Sequence, residues 1–255
     1  MRTAVVTGGA RGIGLALAAK LVREGVEVVL NDLDEKETVD AAAKIGAVAV
    51  PGDAASATGV ASLVAQARAR VGAVDAWFAN AGIDRGRGLA TSEEDWTASL
   101  EVNVLAHVRA ARLLVPDWVE RGAGRFVVTA SAAGLLMMVD APAYTVSKHG
   151  AVAFAEWLSA TYRHRGVVVQ AVCPQGVTTR MLTQSGVLQD VLSHDGALTP
   201  EQVADLTWEA VQGDRFLVLP HPEVGEHLAR KGQNHDRWLV GMNRLQQRIE
   251  RTSER

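Results

Sequence analysis

Tyr144 and Lys148 lie four residues apart, and Ser131 precedes the tyrosine by thirteen residues. In a helix this spacing puts the phenol and the ammonium on one face. The oxidation of an alcohol needs a base for the hydroxyl proton, but the ordinary pKa of tyrosine, about 10, is too high for that role at neutral pH. The Lys148 cation favours the phenolate, and Ser131 can hold the reacting oxygen by a hydrogen bond. These residue types therefore indicate proton exchange with an alcohol or a ketone, although each one taken singly is more often a surface or capping residue.

A glycine-rich loop, Thr7 to Gly14, follows an apolar segment and precedes an amphipathic one. Glycine permits a tight turn there and lets the backbone approach a pyrophosphate, whose charge the N-terminus of the next helix stabilises. A strand-to-helix turn also uses glycine when it binds nothing, so this loop alone leaves both interpretations open. The residues of the loop that we expect at a dinucleotide are Gly8, Arg11, Gly12, Ile13 and Gly14.

An acidic residue, Asp32, follows Gly14 by eighteen residues and ends the next apolar segment. Its carboxylate can accept hydrogen bonds from the ribose hydroxyls of an adenosine, and it would repel a 2′-phosphate. The alternative role of capping the following helix suits Asp34 better. Arg11 favours NADP instead, because a loop arginine can pair with the 2′-phosphate. We give the carboxylate more weight, so NAD is the predicted cofactor and NADP the less favoured one.

Seven apolar, mostly valine-rich segments recur without polar alternation, which is typical of parallel strands that are buried on both faces. They are Ala4–Val6, Val26–Leu30, Ala47–Val50, Val74–Phe78, Phe126–Val128, Val167–Val172 and Phe216–Leu219. Between them lie segments of helical periodicity, among them Leu15–Arg23, Val60–Arg70 and Trp96–Val119. This alternation predicts an α/β fold, a single Rossmann domain over residues 1–255 with a doubly wound parallel sheet of about seven strands and helices on both faces.

Two further segments have predicted bounds. We expect residues 180–212 to form a lid over the substrate and residues 222–250 to form one charged, amphipathic C-terminal helix. Helix starts are marked by Ser92, with Asp95 three residues later, and by Thr199, which Pro200 follows in the first turn.

With these motifs in this order, the chain resembles the short-chain dehydrogenase/reductase family from end to end, in the type with a Ser-Tyr-Lys-Asn set. The matching residues are Thr7, Gly8, Gly12, Gly14, Asp53, Asn80, Ala81, Gly82, Asn103, Ser131, Tyr144 and Lys148. The resemblance implies that Tyr144 is the acid/base, that Ser131 positions the substrate oxygen and that Lys148 also binds the nicotinamide ribose. It implies further that Asn103 holds a water that relays protons to solvent.

The same resemblance implies cofactor contacts outside the glycine loop. They are Asp53, Ala54, Asn80, Ala81, Gly82, Pro174, Val177 and Thr179. Asp53 would meet the adenine, the Asn-Ala-Gly segment would form the floor beneath the ribose, and Val177 with Thr179 would hold the nicotinamide carboxamide. An acid after Pro-Gly and an Asn-Ala-Gly segment are, however, also typical of plain turns.

The chain departs from the family pattern at Gln175, where a glycine usually follows the proline. A glutamine there adds a polar group to the wall of the substrate pocket or beside the nicotinamide, unless it points into solvent. Apolar residues before Tyr144 and after Thr179 predict an apolar substrate, unless they simply pack beneath the loops. The predicted pocket residues are Gln175, Leu135, Met137, Met138 and Met181.

Composition excludes several other classes of protein. The 255 residues carry a formal net charge of −3 without charged blocks, so we expect neither a nucleic acid nor a membrane as partner. The one cysteine, Cys173, excludes a disulfide framework and a multi-cysteine metal site, and it is typical of a small buried hydrophobe. His221 lies between two prolines and is typical of a turn, unless the C-terminal segment folds back over the site. We expect no metal and a cytoplasmic protein.

Together these features predict an oxidoreductase that transfers a hydride between NAD and a small-molecule substrate, either a secondary alcohol or its ketone. An NADPH-dependent ketoreductase is the alternative among enzymes, and a non-catalytic dinucleotide-binding regulator is the alternative outside them. The complete set of catalytic residues argues against the regulator, because a regulator would need only the residues that bind the dinucleotide. Family members commonly pair through the helices at Trp96–Val119 and Ala143–His164, so we expect a homotetramer or a homodimer.

Overall fold

Within the described residues, seven parallel strands form one sheet in the order β3-β2-β1-β4-β5-β6-β7. The computed structural model of the protein describes residues 1–183 and 196–253. The strands are β1 Thr3–Thr7, β2 Glu27–Asn31, β3 Val48–Ala49, β4 Ala76–Ala79, β5 Gly124–Thr129, β6 Val167–Val172 and β7 Leu217–Val218. The predicted doubly wound α/β fold is confirmed, and each predicted strand overlaps an observed one. Because the strand order reverses between β1 and β4, a crevice opens there at the carboxyl edge of the sheet.

Helices connect the strands, and several of those in the described residues begin at a residue whose side chain accepts a hydrogen bond from the first turn. The helices are α1 Gly12–Arg23, α2 Glu35–Ile45, α3 Ala57–Val71, α4 Glu93–Leu100, α5 Ala106–Arg121, α6 Pro142–Tyr162, α7 Arg180–Thr183, α8 Pro200–Val211, α9 Glu223–Gln233 and α10 His235–Ser253. Ser92 accepts a hydrogen bond from the Asp95 amide, and Thr199 forms a capping box with Gln202, as the sequence predicts. Asp34 likewise caps α2. The predicted lid, residues 180–212, includes residues 184–195, which lie outside the described residues.

The segment predicted as helical, Trp96–Val119, is helical throughout, but it is not one regular α-helix. A wide π turn, Glu101–Leu105, lies between α4 and α5. Asn103 lies within it, and its side chain bonds both the amide and the carbonyl of Ile83 in a different loop. An inserted residue of this kind widens the helix locally and turns a side chain away from the regular face, often at a functional site.

The predicted C-terminal helix over residues 222–250 is also interrupted. Asn234 is extended, with φ −154° and ψ 94°, and its side chain accepts a hydrogen bond from the Arg237 amide to begin a second helix. The break folds α10 back against the body of the molecule. There Met242, Leu245 and Ile249 pack into the apolar cluster that holds Tyr144.

The core lies on both faces of the sheet. One face buries Trp77, Trp118 and Phe126 beneath α3, α5 and α6, and the other buries Leu30 and Phe78 beneath α1, α2 and α8. Such burial stabilises the strands by roughly 25 cal/mol for each Å² of apolar surface removed from water. None of the helices in residues 1–183 and 196–253 is both long and apolar enough to cross a membrane.

Candidate active site

The structure brings Ser131, Tyr144 and Lys148 into one cleft of about 670 Å³ at the carboxyl edge of the sheet. Tyr144 and Lys148 lie on successive turns of α6, which Pro142 begins. Ser131 follows β5, where its hydroxyl accepts a hydrogen bond from the Ala133 amide at 3.1 Å. The Lys148 Nζ atom donates to the Thr129 carbonyl at 2.9 Å and lies 5.7 Å from the centroid of the Tyr144 ring. The helix and the strand end thus fix all three side chains before any substrate binds.

Burial dominates the electrostatics of this set. Desolvation raises the pKa of Tyr144 to about 12, a hydrogen bond with Ser131 lowers it, and the charges of Asp84 and Cys173 raise it. Desolvation also lowers the pKa of Lys148 to about 8. In the chain alone, the loss of water around Tyr144 therefore dominates its pKa. The expectation that Lys148 and a bound nicotinamide together bring the phenol toward ionisation stays a prediction.

Asn103 lies behind this set and is fully buried in the π turn. Its amide donates to the Ile83 carbonyl and to Ser147 Oγ at 2.9 Å each, and its Oδ1 accepts from the Ile83 amide at 2.9 Å. Ser147 in turn donates to the Tyr144 carbonyl at 3.0 Å. Asn103 thereby ties the loop after β4 to α6. Ser147 was not predicted from the sequence, although its position three residues after the tyrosine makes the two residues neighbours on the helix surface.

The glycine loop has the shape of a cradle for a phosphate group. Gly8 and Gly12 have positive φ angles of 61° and 54° and line the cleft. A Cβ on Gly8 would lie 2.8 Å from the Ala81 backbone, and one on Gly14 would lie 2.1 Å from the Gly8 carbonyl. Only glycine fits at such contacts, so the bare loop backbone faces the cleft at the start of α1. These residues fit the pyrophosphate of a dinucleotide.

The Asn-Ala-Gly segment after β4 holds this loop in place. Asn80 Nδ2 donates to the carbonyls of Thr7 and Gly8 at 3.1 and 3.0 Å. Thr7 Oγ1 accepts from the amides of Asn80 and Ala81 at 3.1 Å each. Ala81 and Gly82 also line the cleft. The segment is more than a turn, because it connects the loop after β1 with the loop after β4.

Asp32 lies at the end of the cleft away from Tyr144, just after β2. Its carboxylate accepts hydrogen bonds from the Ala10 amide at 3.0 Å and the Leu33 amide at 2.7 Å. Arg11, the residue that favours a 2′-phosphate, pairs with Glu37 at 3.2 Å. The acid is therefore held at the cleft, while the arginine already has a partner of opposite charge.

Asp53 and Ala54 line the same end of the cleft. The Asp53 carboxylate accepts from the amides of Ala55 at 2.7 Å and Ser56 at 3.1 Å. Burial raises the pKa of Asp53, but hydrogen bonds from Ser56 and Ala55 outweigh that effect and leave it below its ordinary value. The turn role that the sequence left open is thus present, beside a position on the cleft wall.

The loop after β6 brings Pro174, Gln175, Val177 and Thr179 to the cleft. Among the described residues other than glycine, Asp140 is the one with a positive φ, so a glutamine fits at position 175 without strain. The backbone N–H of Gln175 donates to Nδ1 of His221 at 3.1 Å, and His221 is 3% exposed. His221 therefore lies beside the site rather than in a plain surface turn, and it secures this loop.

The predicted pocket residues separate into two groups. Met138, Gln175 and Met181 line the cleft. Leu135 and Met137, which were also predicted to line it, are not among its lining residues, and these half-buried side chains pack against the C-terminal hairpin of α9 and α10 instead. Lys231 of α9 strengthens that packing by donating to the carbonyls of Leu135 and Leu136 at 2.8 and 2.9 Å.

Other residues that line the cleft were not predicted from the sequence. They are Ile83, Asp84 and Val102. An acid two residues after the Asn-Ala-Gly segment was the available signal for Asp84. Cys173 is fully buried, and burial raises its pKa to about 12, so its thiol has the character of an inert hydrophobe.

Comparisons with known proteins agree with this geometry. Residues 2–187 match the sequence profile of the short chain dehydrogenase family. The 1-deoxy-11-beta-hydroxypentalenate dehydrogenase of Streptomyces exfoliatus is 35% identical over 246 residues, which cover 93% of this chain and 88% of that protein. A short chain dehydrogenase/reductase of Burkholderia phymatum, solved with NAD, superposes with a TM-score of 0.85 at 28% identity and covers 92% of this chain and 94% of its own. An actinorhodin polyketide ketoreductase variant, solved with NADPH, gives a TM-score of 0.79 at 27% identity and covers 86% and 95%.

Proposed function

Because the chain belongs to the short-chain dehydrogenase/reductase family, we propose that it interconverts a secondary alcohol and a ketone, with NAD as its cofactor and Tyr144 as its acid/base. The family and its relatives make the chain an NAD(P)-dependent oxidoreductase of alcohols and ketones. The observation that carries the finer proposal is the shared cleft. Ser131, Tyr144 and Lys148 lie at one end of it, and the glycine loop and Asp32 lie at the other.

Each catalytic side chain has one task in this proposal. A nicotinamide bound in the cleft would supply the acceptor for the hydride of the carbinol carbon. Tyr144 Oη removes the hydroxyl proton in oxidation and returns it in reduction. Ser131 Oγ donates a hydrogen bond to the substrate oxygen and keeps it beside the phenol. Lys148 binds the hydroxyls of the nicotinamide ribose from the same face of α6 as the tyrosine.

Asn103 has a positioning task. Its side chain is occupied by Ile83 and Ser147, so it fixes α6 against the loop after β4. The water relay that the resemblance implies for Asn103 would then fall to the backbone of its π turn. That role stays a prediction.

The choice of NAD rests on the two charged residues at the adenosine end. The Asp32 carboxylate would lie beside a 2′-phosphate and repel it, whereas it accepts hydrogen bonds from free ribose hydroxyls. Arg11 would have to leave Glu37 before it could pair with the phosphate. Related structures contain both NAD and NADPH, so these residues of the chain itself carry the preference.

We also propose that the protein assembles as a homotetramer, or failing that as a homodimer, through α5 and α6. An apolar groove between these helices is lined by Val115, Val119, Phe154, Trp157 and Tyr162, among others. Trp157 is 55% exposed and stacks on Phe154 at 6.0 Å between ring centroids. A twofold axis would bury the same patch on each subunit.

The proposed function is tested by initial rates with a panel of secondary alcohols at alkaline pH and of ketones at neutral pH. We expect turnover in both directions, with kcat/KM at least about tenfold higher for NAD than for NADP, which corresponds to about 1.4 kcal/mol. A preference for NADP would overturn the cofactor assignment. Tight NAD binding without turnover of any compound in a broad panel would identify a regulator instead of an enzyme.

A further inference from the structure

Asp84 is a carboxylate at the substrate end of the cleft that the proposed mechanism does not use. It lines the same cleft as Ser131, Tyr144 and Met138, and its side chain is only 6% exposed. Its charge acts on Tyr144, where it raises the pKa of the phenol. The carboxylate therefore lines the space in which a substrate of Tyr144 would lie.

Three sets of bonds fix this carboxylate in advance. Asn103 bonds both the amide and the carbonyl of Ile83, the preceding residue, at 2.9 Å each. Arg87 donates to the two carboxylate oxygens of Asp84 at 2.8 and 2.9 Å. Beyond the arginine, the Gly88 amide donates to the Asp140 carbonyl at 2.9 Å. A recognition group held this firmly loses little freedom when a ligand binds.

Stability alone does not account for the ion pair at this place, because the Arg87 side chain is 36% exposed although that of Asp84 is only 6% exposed. A pair that is open to water on one side adds little to the stability of a protein. The neighbouring wall residues Met138 and Met181 show that apolar side chains fit in this cleft. The pair is better explained by what it recognises.

The chemistry of the pair selects the ligand group. Each carboxylate oxygen accepts one bond from Arg87 and keeps a further acceptor site. Because the guanidinium balances the charge of Asp84, the pair favours a neutral donor over a cation. A carboxylate on the substrate would meet acceptor oxygens and be repelled.

We propose that Asp84 is a specificity-determining residue that accepts a hydrogen bond from a second hydroxyl group of the substrate. The preferred substrate is then a diol, or the matching hydroxyketone, whose second hydroxyl lies close to the reacting carbon. Met138 and Met181 would pack against its carbon skeleton. This inference rests on the proposed function and narrows its substrate class.

The test compares kcat/KM, with NAD, for cyclohexanediol and cyclohexanol, which share a carbon skeleton. It uses the wild type, Asp84→Leu, Asp84→Ala and the control Asp75→Asn. Asp75 is also a partly buried carboxylate with an arginine partner, Arg121 at 3.1 Å, but it lies at the opposite edge of the sheet. We expect the wild type and the control to prefer the diol by roughly ten- to hundredfold, and both Asp84 variants to bring this ratio close to one, mainly through KM for the diol.

Two results would overturn the inference and leave the proposed function standing. One is a wild type that turns over cyclohexanol with no preference for the diol. The other is a preference that survives in Asp84→Leu, which keeps about the volume of the side chain but offers no acceptor, and which tests the inference even if Asp84→Ala does not fold. Absence of turnover with either compound and with the wider panel would overturn the proposed function, and this inference with it.

Discussion

As the proposed acid/base, Tyr144 needs opposite properties in the two directions of the reaction. Reduction of a ketone needs a protonated phenol, and oxidation of an alcohol needs a phenolate. Burial raises the pKa of Tyr144 to about 12, so in the chain alone the phenol is protonated at neutral pH and is ready to act as an acid. Oxidation is then expected to accelerate as the pH rises toward the alkaline range.

Asp84→Asn is expected to move that acceleration to lower pH. The negative charge of Asp84 favours the neutral phenol, and its removal lowers the pKa of Tyr144. Ser131, which lowers this pKa, and Cys173, which raises it, are unchanged in the variant. The measurement is the pH profile of kcat/KM for alcohol oxidation, with Asp75→Asn as control. An unshifted profile in Asp84→Asn would show that the two groups do not interact.

Asp32→Ala is expected to lower kcat/KM with NAD and to reduce the difference between kcat/KM with NAD and kcat/KM with NADP. It removes an acceptor for the ribose hydroxyls and the repulsion of a 2′-phosphate. Adding Glu37→Gln releases Arg11 from its partner, so the double variant should gain further with NADP. The single variant Glu37→Gln serves as control, and we expect it to keep the preference for NAD. If the ratio of kcat/KM with NAD to kcat/KM with NADP is the same in the wild type and in Asp32→Ala, Asp32 does not determine the cofactor preference.

For single residues, the sequence predicts well which side chains could react, but it does not predict how deeply they are buried. Ser131, Tyr144 and Lys148 are recognisable because their residue types and spacing match a reaction. The burial of the phenol was not predictable, because it depends on Met242, Leu245 and Ile249, about a hundred residues farther along the chain.

Two helices differ from their predicted form, and both differences shape the site. The π turn at Glu101–Leu105 gives Asn103 its contacts with Ile83. The break at Asn234 lets α10 fold back over Tyr144. Hydrophobic periodicity predicts that these segments are helical, but it does not report a local insertion or the direction of a helix after a break. Such features depend on contacts between segments that lie far apart in sequence.

Ile249→Ala tests the packing of α10 against the site. Ile249 is 7% exposed, and removing its buried methyl and methylene groups should lower the free energy of unfolding by about 2 kcal/mol. Val240→Ala on the outer side of the same helix, 52% exposed, is the control and should cost less than about 0.5 kcal/mol. Denaturant unfolding measures both values. Equal effects of the two substitutions would mean that α10 is not docked in solution.

For the molecule as a whole, the sheet followed from sequence because all seven strands lack polar alternation. That pattern requires helices on both faces and therefore a parallel, doubly wound arrangement. The proposed assembly of subunits is harder to predict from the sequence than the sheet is. Exposed Trp157 and the groove beside it indicate a contact, but the number of subunits depends on symmetry that a single chain does not contain.

Trp157→Glu is expected to weaken assembly without unfolding the subunit. It would place a charge in the centre of a buried apolar patch, at a side chain that is half exposed in the single chain. Light scattering at micromolar concentration should give a tetramer or a dimer for the wild type and smaller species for the variant. Val240→Glu, with similar exposure elsewhere, should assemble as the wild type does. A monodisperse monomer for the wild type would contradict the proposed interface.

The central claim is that the Tyr144 phenol exchanges the substrate proton, and Tyr144→Phe tests it most directly. The substitution removes one oxygen, so NAD should bind within a few fold of the wild-type affinity while kcat falls by roughly a hundred- to ten-thousandfold. Tyr162→Phe, which changes the other tyrosine of the chain, should keep wild-type turnover. Retained NAD binding with turnover lost in Tyr144→Phe alone is the predicted result. A near-normal rate in Tyr144→Phe would contradict the account.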